Sequence, residues 1–169
     1  MSDNGMQLEI YGRVFTIKTS SCGCSNDEAD DVTVYLSAEA SGTFLAGKRL
    51  RVFDREVVSR HKFKVPYDWA VGMRRRLSDI KVPAFPHMSM GCDGCFTELR
   101  AGGYDGSVHY RWWSGAPEGW EALDSFAWSV ISLSICCASL RKSAAAVFLN
   151  CCALAMWREL VLRKARARR

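Results

Sequence analysis

The chain has 169 residues, of which 49% are hydrophobic and 24% charged, and its formal net charge is +5. This composition is ordinary for a globular protein, and the length suffices for one domain with a sizeable core. No apolar run reaches the roughly 18–20 residues that span a bilayer, and the N-terminus lacks a basic-then-apolar leader, so we expect neither a membrane-spanning nor a secreted protein.

The first half of the chain is dominated by strand patterns. Alternating apolar residues predict a strand or short hairpin within Met6–Thr19, and the pattern slips near Gly12, which predicts a bulge or turn. A second strand is predicted around Val32–Leu36. Glu39–Gly47 is predicted as a turn region. One or two further strands are expected from Arg49, with alternation continuing until Pro66 stops it.

A helix separates these strands from a predicted hairpin. Helical spacing covers Tyr67–Ile80, and prolines then favour an extended connection. Phe96–Arg100 and Val108–Trp113 alternate as strands on either side of a glycine-rich reversal at Ala101–Ser107. Because side chains alternate along a strand, Trp112 and Trp113 must point to opposite faces.

The C-terminal third is predicted to be helical. Apolar residues recur at helical spacing across Leu123–Leu140, and Ser143 is a plausible N-cap for a second helix. A basic tail, Arg163–Arg169, follows. We therefore predict a single α+β domain over 1–162, in which one intervening helix and two C-terminal helices pack on an antiparallel sheet, followed by a basic tail over 163–169.

The region 91–123 holds an Asp-Gly pair, a strand leucine, a Tyr-x-Trp-Trp strand and a Pro-x-x-Trp-x-x-Leu turn. These residues are Asp93-Gly94, Leu99, Tyr110-Arg111-Trp112-Trp113, Pro117-Glu118-Gly119-Trp120 and Leu123. In this order they resemble a recurrent hairpin–helix element of small bacterial proteins of unknown function. The resemblance implies a fold more than an activity, and it fits a bacterial or phage accessory protein that binds another protein.

The aromatic residues of this element indicate a protein-binding surface or a core. Tryptophan and tyrosine dominate binding hot spots, and they also supply large buried area. We expect most of them to be core, and we predict Trp113, Arg111 and His109 as the residues that contact a protein partner. Our leading hypothesis is therefore a non-catalytic, cytoplasmic protein-interaction protein, with no catalytic residues assigned.

Two alternatives use the C-terminal segment. The first is a nucleic-acid-associated protein that contacts phosphates through its tail. The tail cations concerned are Arg163, Lys164, Arg166, Arg168 and Arg169. The second is peripheral membrane association through the C-terminal helices, which we consider the weakest of the three hypotheses because both apolar segments are short.

Eight cysteines without a leader are typical of a reducing compartment, where thiols stay free. Cys22 and Cys24 could join Cys92 and Cys95 in a four-thiolate zinc site, since C-x₂-C is a usual knuckle spacing. A thiol–imidazole pair with His87 or His109 is a further alternative. Incidental thiols in glycine-rich loops explain the same residues, so we expect no cofactor and leave the metal question open.

Overall fold

The computed structural model describes residues 10, 12–22, 30–52, 54–84, 94–103 and 106–139. These residues form a six-stranded antiparallel sheet in the order β4-β3-β2-β1-β5-β6. Two helices accompany it. The elements are β1 (Gly12–Cys22), β2 (Asp30–Glu39), β3 (Gly42–Arg51), β4 (Val57–Val65), α1 (Tyr67–Ser78), β5 (Gly94–Gly103), β6 (Gly106–Trp113) and α2 (Glu121–Ser139).

The antiparallel sheet with helices agrees with the coarse prediction. The intervening helix is α1, and the predicted hairpin is the β5–β6 pair, whose strands are longer than expected and run through most of the predicted reversal. The slip near Gly12 is a bulge: that glycine has a φ of 79°, and the β1–β2 register shifts between Arg13 and Phe15. The residues predicted to form a second C-terminal helix and a basic tail lie outside the described residues.

The predicted turn over Glu39–Gly47 is wrong for most of its length. The turn occupies only Ala40 and Ser41, and β3 begins at Gly42. The prediction failed because Ala46 and Gly47 interrupt the apolar alternation. Gly47 is small for a tertiary reason, since a Cβ there would clash with the ring of His61 on β4 and lie 2.8 Å from the Ser134 hydroxyl of α2.

One face of the sheet, which we call the inner face, forms the core with the two helices. Its central strands contribute side chains that are almost fully enclosed, and α2 supplies apolar residues at helical spacing against them. Phe15 of β1 meets Phe126 of α2 edge to face, with ring centroids 5.5 Å apart. Almost fully enclosed large side chains are Phe15, Ile17, Val34, Leu36, Leu45, Leu99, Trp112, Leu123, Phe126, Val130 and Ile131.

Trp112 fastens the β5–β6 hairpin to α2. Its side chain is 1% exposed, and its indole N–H donates a 2.7 Å hydrogen bond to the Asp124 carboxylate in the first turn of the helix. Trp120 packs edge to face on Trp112 and donates its own indole N–H to the carbonyl of Pro83. The expectation that this cluster is mostly core therefore holds for these two tryptophans, whereas Trp128 is 43% exposed.

His61 forms a second polar link between the sheet and α2. Its Nε2 lies 2.5 Å from the hydroxyl of Ser134, whose side chain is fully buried, and its Nδ1 is enclosed without a hydrogen-bond partner among the described residues. Burial lowers the pKa of His61 from its ordinary value of 6.5, because desolvation penalises the charged imidazolium. The fold therefore favours the neutral ring.

Contrary to the expectation that no apolar run is long enough to span a bilayer, one described helix is long and apolar enough, by length and composition, to cross a membrane. The window is Glu121–Ala138 of α2, of which 44% is buried inside the fold. A core helix of a globular domain passes the same test, and α2 packs against the inner face of the sheet. Its length and hydrophobicity therefore carry no argument for insertion.

Replacing Asp124 by alanine should destabilise the fold, because the Trp112 indole N–H would remain buried without an acceptor. We expect a loss of about 1–3 kcal/mol in the free energy of unfolding, measured by urea denaturation. The matched control is Asp124→Asn, which keeps an acceptor oxygen and should lose less. Equal stability of the alanine variant and the native protein would contradict the proposed role of this bond.

Acid should destabilise the native protein partly through His61. The unfolded chain takes up a proton near pH 6.5 while the folded ring resists it, so stability is full above that pH and falls as the pH drops below it. The loss should be smaller than the ~1.4 kcal/mol per pH unit of one fully resisted proton, because the ring is only partly buried.

The check is urea denaturation at pH 7.5 and 5.5 for the native protein and for His61→Asn. The variant should lose less stability between these two pH values than the native protein does. The same loss in both proteins would show that other groups account for the acid sensitivity.

Candidate functional site

The face of the sheet opposite the helices, the outer face, carries a line of polar side chains across all six strands, and five of the six are charged. The strand register makes each of its members the direct Cα partner of the next. At about 4.8 Å per strand the line is roughly 24 Å long. We call it the cationic row, and in sheet order it consists of Arg60 (β4), Lys48 (β3), Thr33 (β2), Lys18 (β1), Glu98 (β5) and Arg111 (β6).

The positive charges of the cationic row are poorly neutralised. Arg60, Lys18 and Arg111 are exposed and Lys48 is half-buried. Arg60 and Lys48 are directly opposite each other on β4 and β3. Among the described residues, neither of these two cations forms an ion pair with a carboxylate. Like charges at directly opposed strand positions are destabilising, so the sheet bears an electrostatic cost here.

Glu98 is the acidic member of the row, and cations surround it. Its carboxylate accepts a 2.6 Å hydrogen bond from Arg100 and lies 2.7 Å from the ring of His109. Partial burial acts to raise the pKa of Glu98, but the hydrogen bond from Arg100 and the charges of Arg100, His109 and Lys18 outweigh it and hold the pKa below its ordinary value. Glu98 is therefore an internal anion that shields part of the row.

Large aromatic side chains share the outer face with these charges. We call Tyr35, Phe44, Phe96 and Trp113 the flanking aromatics; each is half-buried. Three of them lie under cations: the charged groups of Arg13, Lys62 and Arg111 are 4.7, 4.1 and 4.0 Å from the ring centroids of Tyr35, Phe44 and Phe96. Exposed sites of this kind contribute about 0.5–1 kcal/mol each.

The edge strand β6 holds the residues predicted to contact a protein partner. His109, Arg111 and Trp113 follow one another at every second position, so they share the outer face. Trp113 packs edge to face against Phe96, and its indole N–H is enclosed without a hydrogen-bond partner among the described residues. The prediction that the paired tryptophans point to opposite faces is confirmed by the buried position of Trp112.

Sequence reasoning missed the contribution of the opposite edge. Lys62 and Lys64 alternate with inner-face residues on β4, and this alternation predicts a strand without marking a binding surface. Lys62 also binds the Glu39 carboxylate at 3.0 Å, which lowers the pKa of that carboxyl. The signal that could have found this edge was the run of basic residues at a period of two, which places every cation on one face.

The predicted thiol sites are only partly covered by the described residues. Cys24, Cys92 and His87 lie outside them, as does the side chain of Cys22. Cys95 is half-buried on β5, and the ladder places it on the inner face, opposite to His109. In the part of the chain that the structure describes, no three His, Cys, Asp or Glu side chains gather where they could hold a metal ion.

The tail residues predicted to bind nucleic acid also lie outside the described residues.

Comparison with known proteins identifies no family for this chain. No protein-family model matches the chain, and no curated protein matches it either.

Proposed function

We propose that this protein is a non-catalytic binding protein and that the cationic row is its binding surface for a polyanion. The observation that carries the proposal is the alignment of cations from four strands on one line of the outer face. Within it, Arg60 and Lys48 face each other, and neither forms an ion pair with another described residue. A line of negative charges on a partner would match this geometry and relieve the repulsion within the sheet.

A hydroxyl–imidazole pair lies between the sheet and α2, and its burial argues against a catalytic role for it. His61 and Ser134 lie within hydrogen-bond distance, but the Ser134 side chain is fully buried between β4 and α2. A nucleophile must reach its substrate, so this pair serves as a structural link between sheet and helix. The hypothesis that Trp113, Arg111 and His109 contact a protein partner stays a prediction, and these residues lie at the β6 end of the same outer face.

The first test removes two charges from the row. Lys48→Gln/Arg60→Gln should weaken binding to fluorescein-labelled heparin by about 2- to 30-fold at low salt, since an exposed ion pair contributes roughly 0.2–1 kcal/mol. Fluorescence anisotropy at 50 mM NaCl gives the dissociation constants. The matched control is Arg74→Gln/Lys81→Gln, which removes one arginine and one lysine at exposed positions of α1 and the segment after it.

Three outcomes would contradict the proposal. The first is that the intact protein does not bind heparin at low salt. The second is an equal rise in the dissociation constant for heparin in both double variants, which would indicate attraction by net charge alone. Neutralising the tail cations Arg163, Lys164, Arg166, Arg168 and Arg169 with glutamine could abolish binding while the row variant binds normally, which would support the tail as the binding site instead.

The second test removes the negative charge of Glu98 from the row. Glu98→Gln should raise heparin affinity by up to about 5-fold, because it frees Arg100 and His109 and deletes the only negative charge within the row. Glu39→Gln is the matched control, since Glu39 binds Lys62 near the end of β2 and lies outside the row. A larger gain for Glu39→Gln than for Glu98→Gln would place the contact elsewhere on the sheet.

A further inference from the structure

The flanking aromatics bracket the cationic row on both sides. Phe96 and Trp113 are directly opposed on β5 and β6, one same-face position beyond Glu98 and Arg111. Tyr35 lies one same-face position beyond Thr33 on the other side of the row. Same-face neighbours on a strand are about 7 Å apart, so the rings of Phe96, Trp113 and Tyr35 lie within a single side-chain length of the row. Phe44 lies two same-face positions from Lys48, about 14 Å from the row.

This arrangement has a chemical counterpart. A single-stranded nucleic acid carries a line of phosphates with flat bases beside it, and proteins that bind it combine a positive track with aromatic platforms on which bases stack. Heparin and acidic peptides offer the charges without the bases. We infer that the polyanion is a single-stranded nucleic acid, with its phosphates along the cationic row and its bases stacked on the flanking aromatics.

The cation–aromatic pairs fit base stacking as well as phosphate contact. The exposed guanidinium groups of Arg13 and Arg111 lie over Tyr35 and Phe96. A guanidinium plane is itself a stacking surface for bases, and it also forms bidentate hydrogen bonds with phosphate. Each pair therefore offers a base a planar contact and a phosphate a charge within the same few ångströms.

The width of the face favours a single strand over a duplex. Six strands span about 24 Å, which is wider than the ~12 Å major groove of B-DNA, so the sheet face cannot enter that groove to read base edges. Bases within a duplex are also stacked on one another and cannot lie on protein side chains. An unpaired strand can spread its bases over the sheet.

This inference rests on the proposed function, and the experiment separates the two. The probes are a fluorescein-labelled 20-nucleotide single-stranded DNA, the same sequence as RNA, its DNA duplex, labelled heparin, poly-L-glutamate and vesicles containing phosphatidylserine. The full chain is titrated into each probe at 50 mM NaCl. Binding to either single strand should be tighter than binding to the duplex, to poly-L-glutamate and to the vesicles.

Removing a stacking platform should affect only the probe with bases. Phe96→Leu should weaken single-strand binding by about 5- to 150-fold, the range observed when one base loses its aromatic partner, and leave heparin affinity unchanged. Tyr35→Leu is a second variant with the same expectation, in case the loss of Phe96 disturbs its packing on Trp113. Trp128→Leu, which changes an exposed aromatic on α2, should alter neither affinity.

The salt dependence gives an independent readout of the phosphate contacts. For the single strand, log K falls as log salt rises. Lys48→Gln/Arg60→Gln should make this slope less steep by about 1.4, since each phosphate contact contributes about 0.7. Phe96→Leu should leave that slope unchanged, because stacking releases no counterions.

Several results would overturn the inference while leaving polyanion binding intact. These are equal affinity for duplex and single strand, tighter binding to poly-L-glutamate or to the vesicles than to either single strand, and aromatic variants that bind the single strand as the native protein does. Absence of binding to every probe, heparin included, would instead overturn the proposed function together with the inference.

Discussion

The alternation of side chains along antiparallel strands, interrupted at two register shifts, is the constraint on which this structure depends. Each strand sends every second side chain to the inner face, where α1 and α2 cover it, and the remaining ones to the outer face. Once the apolar residues are committed to the core, the register leaves no freedom in where the others lie. Cations that are distant in the chain, such as Lys18 and Arg60, are thereby brought to one line.

The core and the candidate binding surface therefore share a single cause. Trp112 and Trp113 show it most directly. The first is enclosed and bonded to Asp124 of α2, whereas its neighbour packs beside Phe96 on the outer face. A register slip of one residue would exchange these roles, burying Arg111 and exposing Trp112, so the hydrogen bond to Asp124 helps to keep the outer face cationic as well as holding the helix.

The polar contacts of the inner face are few and specific. His61 reaches Ser134 across the gap left by Gly47, and the Trp112 indole reaches Asp124. Buried polar groups are costly unless they are paired, so these contacts favour one position of α2 on the sheet over neighbouring ones. On the outer face the situation is reversed, because exposed charges there remain hydrated and water screens their mutual repulsion.

The sequence by itself determined the antiparallel strands, the helix between them, the hairpin and the opposite orientation of Trp112 and Trp113, because each of these follows from local periodicity and turn residues. The sequence also predicted that three residues that lie on the outer face of β6 contact a partner. Only the tertiary structure decided that Gly42–Arg51 is a strand, since Gly47 is there to accommodate His61, a contact with no local signal. The cationic row likewise depends on strand order and register, which no local pattern encodes. Through Glu98 of β5, the register places Lys18 and Arg111 on one line although they are 93 positions apart in the sequence.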